Sequence, residues 1–150
     1  IISELDKLDN KKVAGIQVHR SLGRYLYHGV LALAKDKKHQ IACVGNSSSG
    51  IKETAVFGCP TVNIGSRQEG RLRGQNVIDV DYDSSNIVGV VNNCFFDEKF
   101  KANCEATDNP YYLGDAGKKI ADILSTAPLG TEIIRKKMTL KGAAKEGWYQ

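Results

Sequence analysis

The sequence lacks the residue spacings that mark metal centres, redox motifs and nucleophilic active sites. Its four cysteines are Cys43, Cys59, Cys94 and Cys104. They form no CxxC pair and have no histidine at ligand spacing, which argues against a zinc site and a redox motif and favours a reducing compartment. The histidines His19, His28 and His39 accompany no recognisable nucleophile elbow, so we expect all three to be structural or surface residues.

Long apolar runs and concentrated charge are also lacking. We find no signal-peptide pattern and no apolar run of the roughly 20 residues that a membrane helix needs, so we expect a soluble, cytoplasmic protein without a membrane partner. The net charge is only +4 and the lysines are spread from Lys7 to Lys145, which gives a nucleic-acid partner little support. With 41% hydrophobic and 25% charged residues, the 150-residue chain has the composition of an ordinary globular domain.

What the sequence does contain is a run of small polar residues between a predicted strand and a predicted helix. The apolar run 41–44 predicts a buried strand, residues 51–57 predict a helix, and Gly45-Asn-Ser-Ser-Ser-Gly50 connects them. Unpaired amides at a helix start and serine hydroxyls both favour a bound anion, as in a nucleotide or a sugar phosphate. Glu53, within the first turns of the helix, offers a carboxylate to a ribose diol.

Two well-known phosphate motifs are excluded. Gly45 and Gly50 have the spacing of a Walker A motif, but Ile51 replaces its lysine and no Ser or Thr follows at the magnesium position. A GxGxxG fingerprint is absent as well. The serines also have a plainer interpretation as helix caps, with Glu53 complementing the helix dipole, and the residues alone leave both interpretations open.

An arginine-rich loop follows the next predicted strand, residues 60–64. Arg67, Arg71 and Arg73 lie among the three glycines of residues 65–74. Loops at the carboxyl ends of neighbouring parallel strands converge on one crevice. This arginine loop (residues 65–74) is therefore predicted to face the serine loop (residues 45–50), where guanidinium groups can bind a diphosphate. Arg67 is the favoured ligand and Arg71 a further candidate, whereas Arg73 is equally consistent with a solvated basic turn.

The order of predicted elements indicates the fold class. Strands are predicted at residues 13–18, 41–44, 60–64 and 77–80, and helices at residues 24–35, 51–57, 86–96 and 116–125. Ile1, Ile2, Leu5 and Leu8 recur at helical spacing and predict an amphipathic helix at the start. Alternating strands and helices predict an α/β fold with a parallel sheet and helices on both faces. Phe95, Phe96 and Phe100 are expected in the core.

The strings GNSSSGIKE, FGCPTVNIG and SRQEGRLRGQNVIDV within residues 41–80 closely resemble the carboxyl-terminal half of the UDP-N-acetylglucosamine 2-epimerases. They are most similar to the hydrolysing branch, which supplies N-acetylmannosamine for sialic-acid-type sugars. The non-hydrolysing branch more often has an Asp-Ser-Gly-Gly loop. Residues 24–33 and 109–115 are also similar to the family, so the resemblance covers most of the chain and fades after Leu129.

This resemblance implies a Rossmann-like parallel sheet that forms one half of a GT-B-type two-domain fold. That half would bind UDP or UDP-N-acetylglucosamine and need no cofactor and no metal. The implied diphosphate ligands are Ser47, Ser48, Ser49, Gly50 and Arg67. Glu53 would bind the ribose, and the uracil would lie near Tyr25 and Tyr27. The family's acid and base residues belong to the other half or precede this chain, so no catalytic residue is expected here.

We accordingly expect a piece of a longer enzyme, since the chain begins without methionine. Residues 1–130 are predicted to form the UDP-binding domain, and residues 131–150 a tail or a helix that docks on the missing amino-terminal domain. The full-length enzyme is expected to be a homo-oligomer. Two alternatives remain: half of a non-hydrolysing epimerase or GT-B glycosyltransferase, and a non-catalytic nucleotide-sugar sensor.

Overall fold

The computed structural model describes residues 2–10, 13–128 and 130–131. Of the predicted tail, residues 131–150, only Thr131 lies within the described residues. The chain divides into two compact units, Ile1–Tyr112 and Leu113–Gln150. The first unit contains the sheet, and the second contains the last described helix.

Three short parallel strands form the centre of the first unit. The strands are β1 (Cys43–Gly45), β2 (Thr61–Ile64) and β3 (Val77–Val80). The helices are α1 (Ile2–Asn10), α2 (Gly23–Ala32), α3 (Ser49–Lys52), α4 (Ser84–Phe96), α5 (Glu98–Glu105) and α6 (Ala116–Thr126), with 3-10 helices at Leu33–Lys35 and Thr54–Phe57. The strands pair in the order β1-β2-β3; α3 packs against β1 and β2, and α4 against β2 and β3. This arrangement confirms the predicted α/β fold of the Rossmann-like class.

The register of the sheet places the ends of its strands side by side. Gly45 at the end of β1 pairs with Asn63 of β2, and Asn63 pairs with Asp79 of β3. The serine loop leaves β1 at this edge and the arginine loop leaves β2 there. The two loops therefore start on neighbouring strands at the same edge of the sheet.

A buried polar network ties the helix after the serine loop to the sheet. Thr54 donates its hydroxyl to the Gly50 carbonyl at 2.6 Å, and Thr61 lies 2.9 Å from the Thr54 hydroxyl. The Asn76 amide donates to Thr54 at 3.0 Å and to the Cys59 carbonyl at 2.8 Å. All three side chains are fully buried or nearly so, which makes each of these bonds costly to lose. The network fixes the backbone at Gly50 relative to β2 and β3.

Seven hydrophobic side chains of the described residues are buried. They are Leu31, Ile51, Ala55, Cys59, Val62, Cys94 and Cys104. Burial raises the pKa of the Cys59 and Cys104 thiols to about 12 and that of Cys94 to about 11. These cysteines pack as small hydrophobic residues, as expected of free buried thiols.

The strand predicted at residues 13–18 is wrong. This segment is a turn followed by irregular backbone, and Gly15 has a φ of +83°, which interrupts an extended chain. Val13 and Ile16 stay partly exposed, at 38% and 45%. Because a strand must pair its amides with a neighbour, an apolar run without one stays irregular.

Three further helical features differ from the sequence prediction. The helix predicted over residues 51–57 begins earlier, at Ser49, and is interrupted at Glu53, where φ is −109°. The helix α5 was not predicted; it is capped by Asp97, whose carboxylate accepts from the Phe100 amide at 3.0 Å. Phe96 was expected in the core but is 67% exposed.

Within the described residues, no helix combines the length and apolarity that crossing a bilayer requires.

Candidate functional site

The serine loop presents hydroxyl groups with different partners. The Ser47 hydroxyl accepts from the Ser49 amide at 3.3 Å and from the Ser49 hydroxyl at 3.1 Å. Ser48 occupies the cap position of α3, yet its side chain makes no capping hydrogen bond. Gly50 is buried, and a Cβ there would lie 3.3 Å from Thr61 Cγ2, so the loop sits tightly on the sheet. The Ser48 hydroxyl is thus available to a ligand.

A cavity of about 670 Å³ opens beside this loop. Its lining residues are Ser21, Leu22, Gly23, Arg24, Tyr27, His28, Ser49 and Glu53. The volume lies within the usual range for small-molecule sites, about 300 to 1,000 Å³. Two of the sequence-predicted ligands, Ser49 and Glu53, therefore face one cavity together with Tyr27.

The two tyrosines of α2 have different surroundings. The Tyr27 hydroxyl lies 3.0 Å from the Ser49 hydroxyl, and burial raises the pKa of Tyr27 to about 12, so the phenol stays protonated and can donate. Tyr25 is 89% exposed and does not line the cavity. The structure therefore brings Tyr27 to the serine loop and leaves the Tyr25 side chain in solvent.

Glu53 is paired with a residue that the sequence prediction did not assign to the site. His28 Nε2 lies 2.6 Å from Glu53 Oε2, and both side chains are half-buried. The His28 ring also packs on Phe57, with 5.3 Å between ring centroids. His28 was expected to be a structural or surface residue. The available signal was a single histidine within a predicted helix, which does not by itself indicate a binding site.

The arginine loop contacts the serine loop directly. Arg67 Nη1 donates to the Asn46 carbonyl at 3.1 Å, and Gln68 Nε2 donates to the same carbonyl at 2.7 Å. Arg67 remains exposed at the edge of the loop, so its other guanidinium nitrogens can reach an anion. The side chain of Arg71 is exposed and makes no hydrogen bond to the described residues.

Arg73 is engaged within the protein. Its Nη1 pairs with the Asp79 carboxylate, and its Nη2 donates to the Gln68 carbonyl at 3.1 Å. The Asp79 carboxylate also accepts from the Asn63 side-chain amide at 2.7 Å. Arg73 thus fixes the arginine loop against β3 and is neither a solvated basic turn nor a free anion ligand.

Two buried amide side chains at this edge were also missed from sequence. The side-chain oxygens of Asn63 and Gln68 have no hydrogen-bond partner among the described residues, although both side chains are 2% exposed. Buried acceptors of this kind are normally satisfied by a donor from protein, water or ligand. The described residues contain no cluster of three metal-ligating side chains. The site accordingly offers hydroxyl and guanidinium donors for an anion and a carboxylate acceptor for a diol.

Comparison with known proteins identifies the chain's relatives. The family model described as UDP-N-acetylglucosamine 2-epimerase matches residues 1–125. The chain is 42% identical over 79 residues to "Polysialic acid biosynthesis protein P7" of Escherichia coli, which covers 53% of this chain and 20% of that protein. It is 49% identical over 59 residues to "GDP/UDP-N,N'-diacetylbacillosamine 2-epimerase (hydrolyzing)" of Campylobacter jejuni, covering 39% of this chain and 14% of the relative.

A third relative matches a longer part of the chain. It is "UDP-N,N'-diacetylbacillosamine 2-epimerase (hydrolyzing)" of Legionella pneumophila, which is 39% identical over 94 residues, or 62% of this chain and 23% of the relative. In these three comparisons the matched segments span between 14% and 23% of the relatives' length.

Proposed function

Because the chain belongs to the UDP-N-acetylglucosamine 2-epimerase family, we propose that it is the UDP-binding part of a hydrolysing UDP-N-acetylglucosamine 2-epimerase. The observation that carries this proposal is the placement of Ser49 and Glu53 in one cavity, beside the uncommitted hydroxyl of Ser48. The serines would hold the diphosphate, and Glu53 would accept from the ribose hydroxyls. A cytoplasmic location belongs to the same proposal.

The proposed reaction assigns this part of the enzyme a defined role. Removal of the proton at sugar C2 and cleavage of the C1–O bond release UDP and leave a glycal; water then adds to give N-acetylmannosamine. Negative charge develops on the departing diphosphate. The serine hydroxyls and Arg67 would stabilise that charge through hydrogen bonds. The acid and base that move the C2 proton are expected in the part of the enzyme that this chain does not contain.

Two observations favour the hydrolysing branch. The loop sequence Gly45-Asn-Ser-Ser-Ser-Gly50 resembles that branch, and the Campylobacter and Legionella relatives carry "hydrolyzing" in their names. A non-hydrolysing epimerase or a GT-B glycosyltransferase would use the same UDP pocket. Production of N-acetylmannosamine by the complete enzyme separates them, since neither alternative releases that sugar.

Calorimetry with UDP and with inorganic pyrophosphate tests the nucleotide site. We expect weak UDP binding, because an open half-site lacks the contacts and water exclusion of a complete enzyme. Glu53→Gln should weaken UDP binding and leave pyrophosphate binding almost unchanged, because only the nucleotide has a ribose diol. An unchanged ratio of the two affinities, or an absence of UDP binding to the wild-type chain, would contradict the proposal.

A further inference from the structure

The contact between His28 and Glu53 joins two elements that lie 25 residues apart in sequence. His28 extends from α2, and Glu53 lies at the junction between α3 and the following 3-10 helix. Both side chains line the cavity beside the serine loop. Their 2.6 Å separation is that of a short, charge-assisted hydrogen bond.

The direction of this hydrogen bond follows from the chemistry of the two groups. An ionised carboxylate has only acceptor sites, so His28 Nε2 must carry the proton. The bond occupies one lone pair of Oε2 and leaves Oε1 and the second lone pair of Oε2 to other donors. A vicinal diol has two hydroxyl donors, which is what the remaining sites of this carboxylate can accept.

The surroundings hold the imidazole in place. The His28 ring packs against Phe57 and lies 5.9 Å, centroid to centroid, from Tyr27. Fixing one glutamate side chain in a single conformation costs rotamer entropy. A histidine that is already packed and bonded to Glu53 removes part of that cost before a ligand arrives.

We propose that His28 is a positioning residue that holds Glu53 ready to receive the ribose diol. This inference rests on the nucleotide site proposed above. His28 acts through Glu53 and makes no contact with the diphosphate, so it determines the preference for a nucleotide over a bare diphosphate. The serine loop and Arg67 would bind both ligands.

Substitutions of His28 separate positioning from general stability. His28→Leu removes the donor but keeps an apolar side chain against Phe57, whereas His28→Gln replaces the Nε2 donor with an amide at similar reach. His28→Leu should weaken UDP binding by about three- to tenfold through the loss of one hydrogen bond and of side-chain order. Pyrophosphate binding should not change, and His28→Gln should restore most of the UDP affinity.

The chain provides a matched control in a second histidine–carboxylate pair. His39 Nε2 lies 3.9 Å from Asp36 Oδ2, both side chains are exposed, and neither lines this cavity. His39→Leu should leave both affinities unchanged. A diol-deficient ligand adds a further control: UDP should lose its advantage over 2′-deoxy-UDP in His28→Leu as it does in Glu53→Gln.

Calorimetry with UDP, 2′-deoxy-UDP and pyrophosphate, together with the melting temperatures of all variants, tests the positioning role of His28. Selective loss of UDP affinity in His28→Leu, with rescue in His28→Gln, supports the proposal. Equal weakening of UDP and pyrophosphate, or normal UDP affinity in His28→Leu while Glu53→Gln is impaired, overturns the role of His28 and leaves the nucleotide site intact. Failure of wild-type UDP binding, or an unimpaired Glu53→Gln, overturns the site itself and this inference with it. If His28→Leu does not fold, normal affinity of a folded His28→Ala variant has the same contradicting force.

Discussion

At the scale of single residues, two adjacent serines of the loop give different expectations for the stability of the protein. The Ser47 hydroxyl accepts two hydrogen bonds from Ser49, whereas the Ser48 hydroxyl caps nothing. Ser48→Ala should therefore leave the melting temperature unchanged and weaken UDP binding by about 1 to 3 kcal/mol, because the lost hydrogen bond is to a charged group. Ser47→Ala should reduce both, with a loss of stability of about 1 kcal/mol.

Thermal unfolding and calorimetry on the same two variants check this pair. Each variant controls for the other, since the substitutions are chemically identical and adjacent. A destabilised Ser48→Ala variant with normal ligand affinity would mean that the serines serve the helix and not a ligand.

The residues of the candidate site were predictable only where local sequence indicated them. The serines and Glu53 lie in one continuous segment, so their shared location followed from the strand–loop–helix pattern. His28 was missed because its partner lies 25 residues away and an isolated histidine in a helix has no diagnostic pattern. Arg73 was ambiguous for the same reason, because the Asp79 carboxylate that engages it lies on the next strand.

At the scale of elements, two glycines predict opposite effects of the same substitution. A Cβ at Gly74, just before β3, would lie 2.6 Å from Thr107 Oγ1, 2.7 Å from Asn76 Oδ1 and 3.2 Å from the Asp108 carbonyl. Gly89 in the middle of α4 has nothing within 4 Å of that position. Gly74→Ala should reduce the free energy of unfolding by about 1 to 3 kcal/mol through overpacking. Gly89→Ala should raise it by up to about 1 kcal/mol, because alanine favours the helix.

Denaturant unfolding of the two variants measures both effects, and each serves as the reference for the other. A neutral Gly74→Ala would mean that the segment around Thr107 and Asp108 does not pack against the start of β3 in solution.

The strands that were predicted correctly are those whose own sequence and flanking residues both indicate a strand. The runs at β1, β2 and β3 combine apolar residues with flanking glycine or proline, and all three strands are present. The run at residues 13–18 also contains valine and isoleucine, but it pairs with no strand among the described residues. Pairing depends on contacts distant in sequence, so composition alone could not separate these cases.

At the scale of the whole molecule, α6 has an exposed apolar stripe. Ile120, Ile123 and Leu124 are 57%, 67% and 66% exposed, and they recur at helical spacing. Such a face favours association, so the chain should form concentration-dependent oligomers. Light scattering should show a smaller average mass for Ile123→Glu than for the control Lys118→Glu, which changes an exposed polar position. A wild-type chain that stays monomeric at high concentration would contradict this expectation.

Family membership was predicted from sequence because the matching strings lie in continuous segments, and the family model covers residues 1–125. The domain boundary at residue 130 stays a prediction, since most of the proposed tail lies outside the described residues. The structure shows a division between two compact units after Tyr112. That division falls within the segment 109–115, whose similarity to the family gave no indication of a boundary.

The buried thiols should make the protein less stable at alkaline pH. Burial raises the pKa of Cys59 and Cys104 from 9.0 to about 12 in the folded chain. Below pH 9 both states keep these protons, so the thiols do not affect stability. As the pH rises from about 9 towards 12, the unfolded chain releases protons that the folded chain retains, so the free energy of unfolding should fall. Denaturant titrations of wild type and Cys59→Ala across this range should show a shallower fall in the variant.

The rates at which these thiols are alkylated also report local opening of the structure. In alkylation the cysteine thiolate attacks the reagent, and Cys59, Cys94 and Cys104 are at most 2% exposed. Each can be alkylated only while its surroundings have opened, whereas the half-buried Cys43 beside the serine loop is reached more readily. The alkylation rates of the four cysteines, measured by mass spectrometry, therefore report opening of the sheet and of α4 and α5 separately from opening at the serine loop. A nucleotide that binds the serine loop should slow the alkylation of Cys43 more than that of the other three cysteines. No additional cysteine has to be introduced for this measurement.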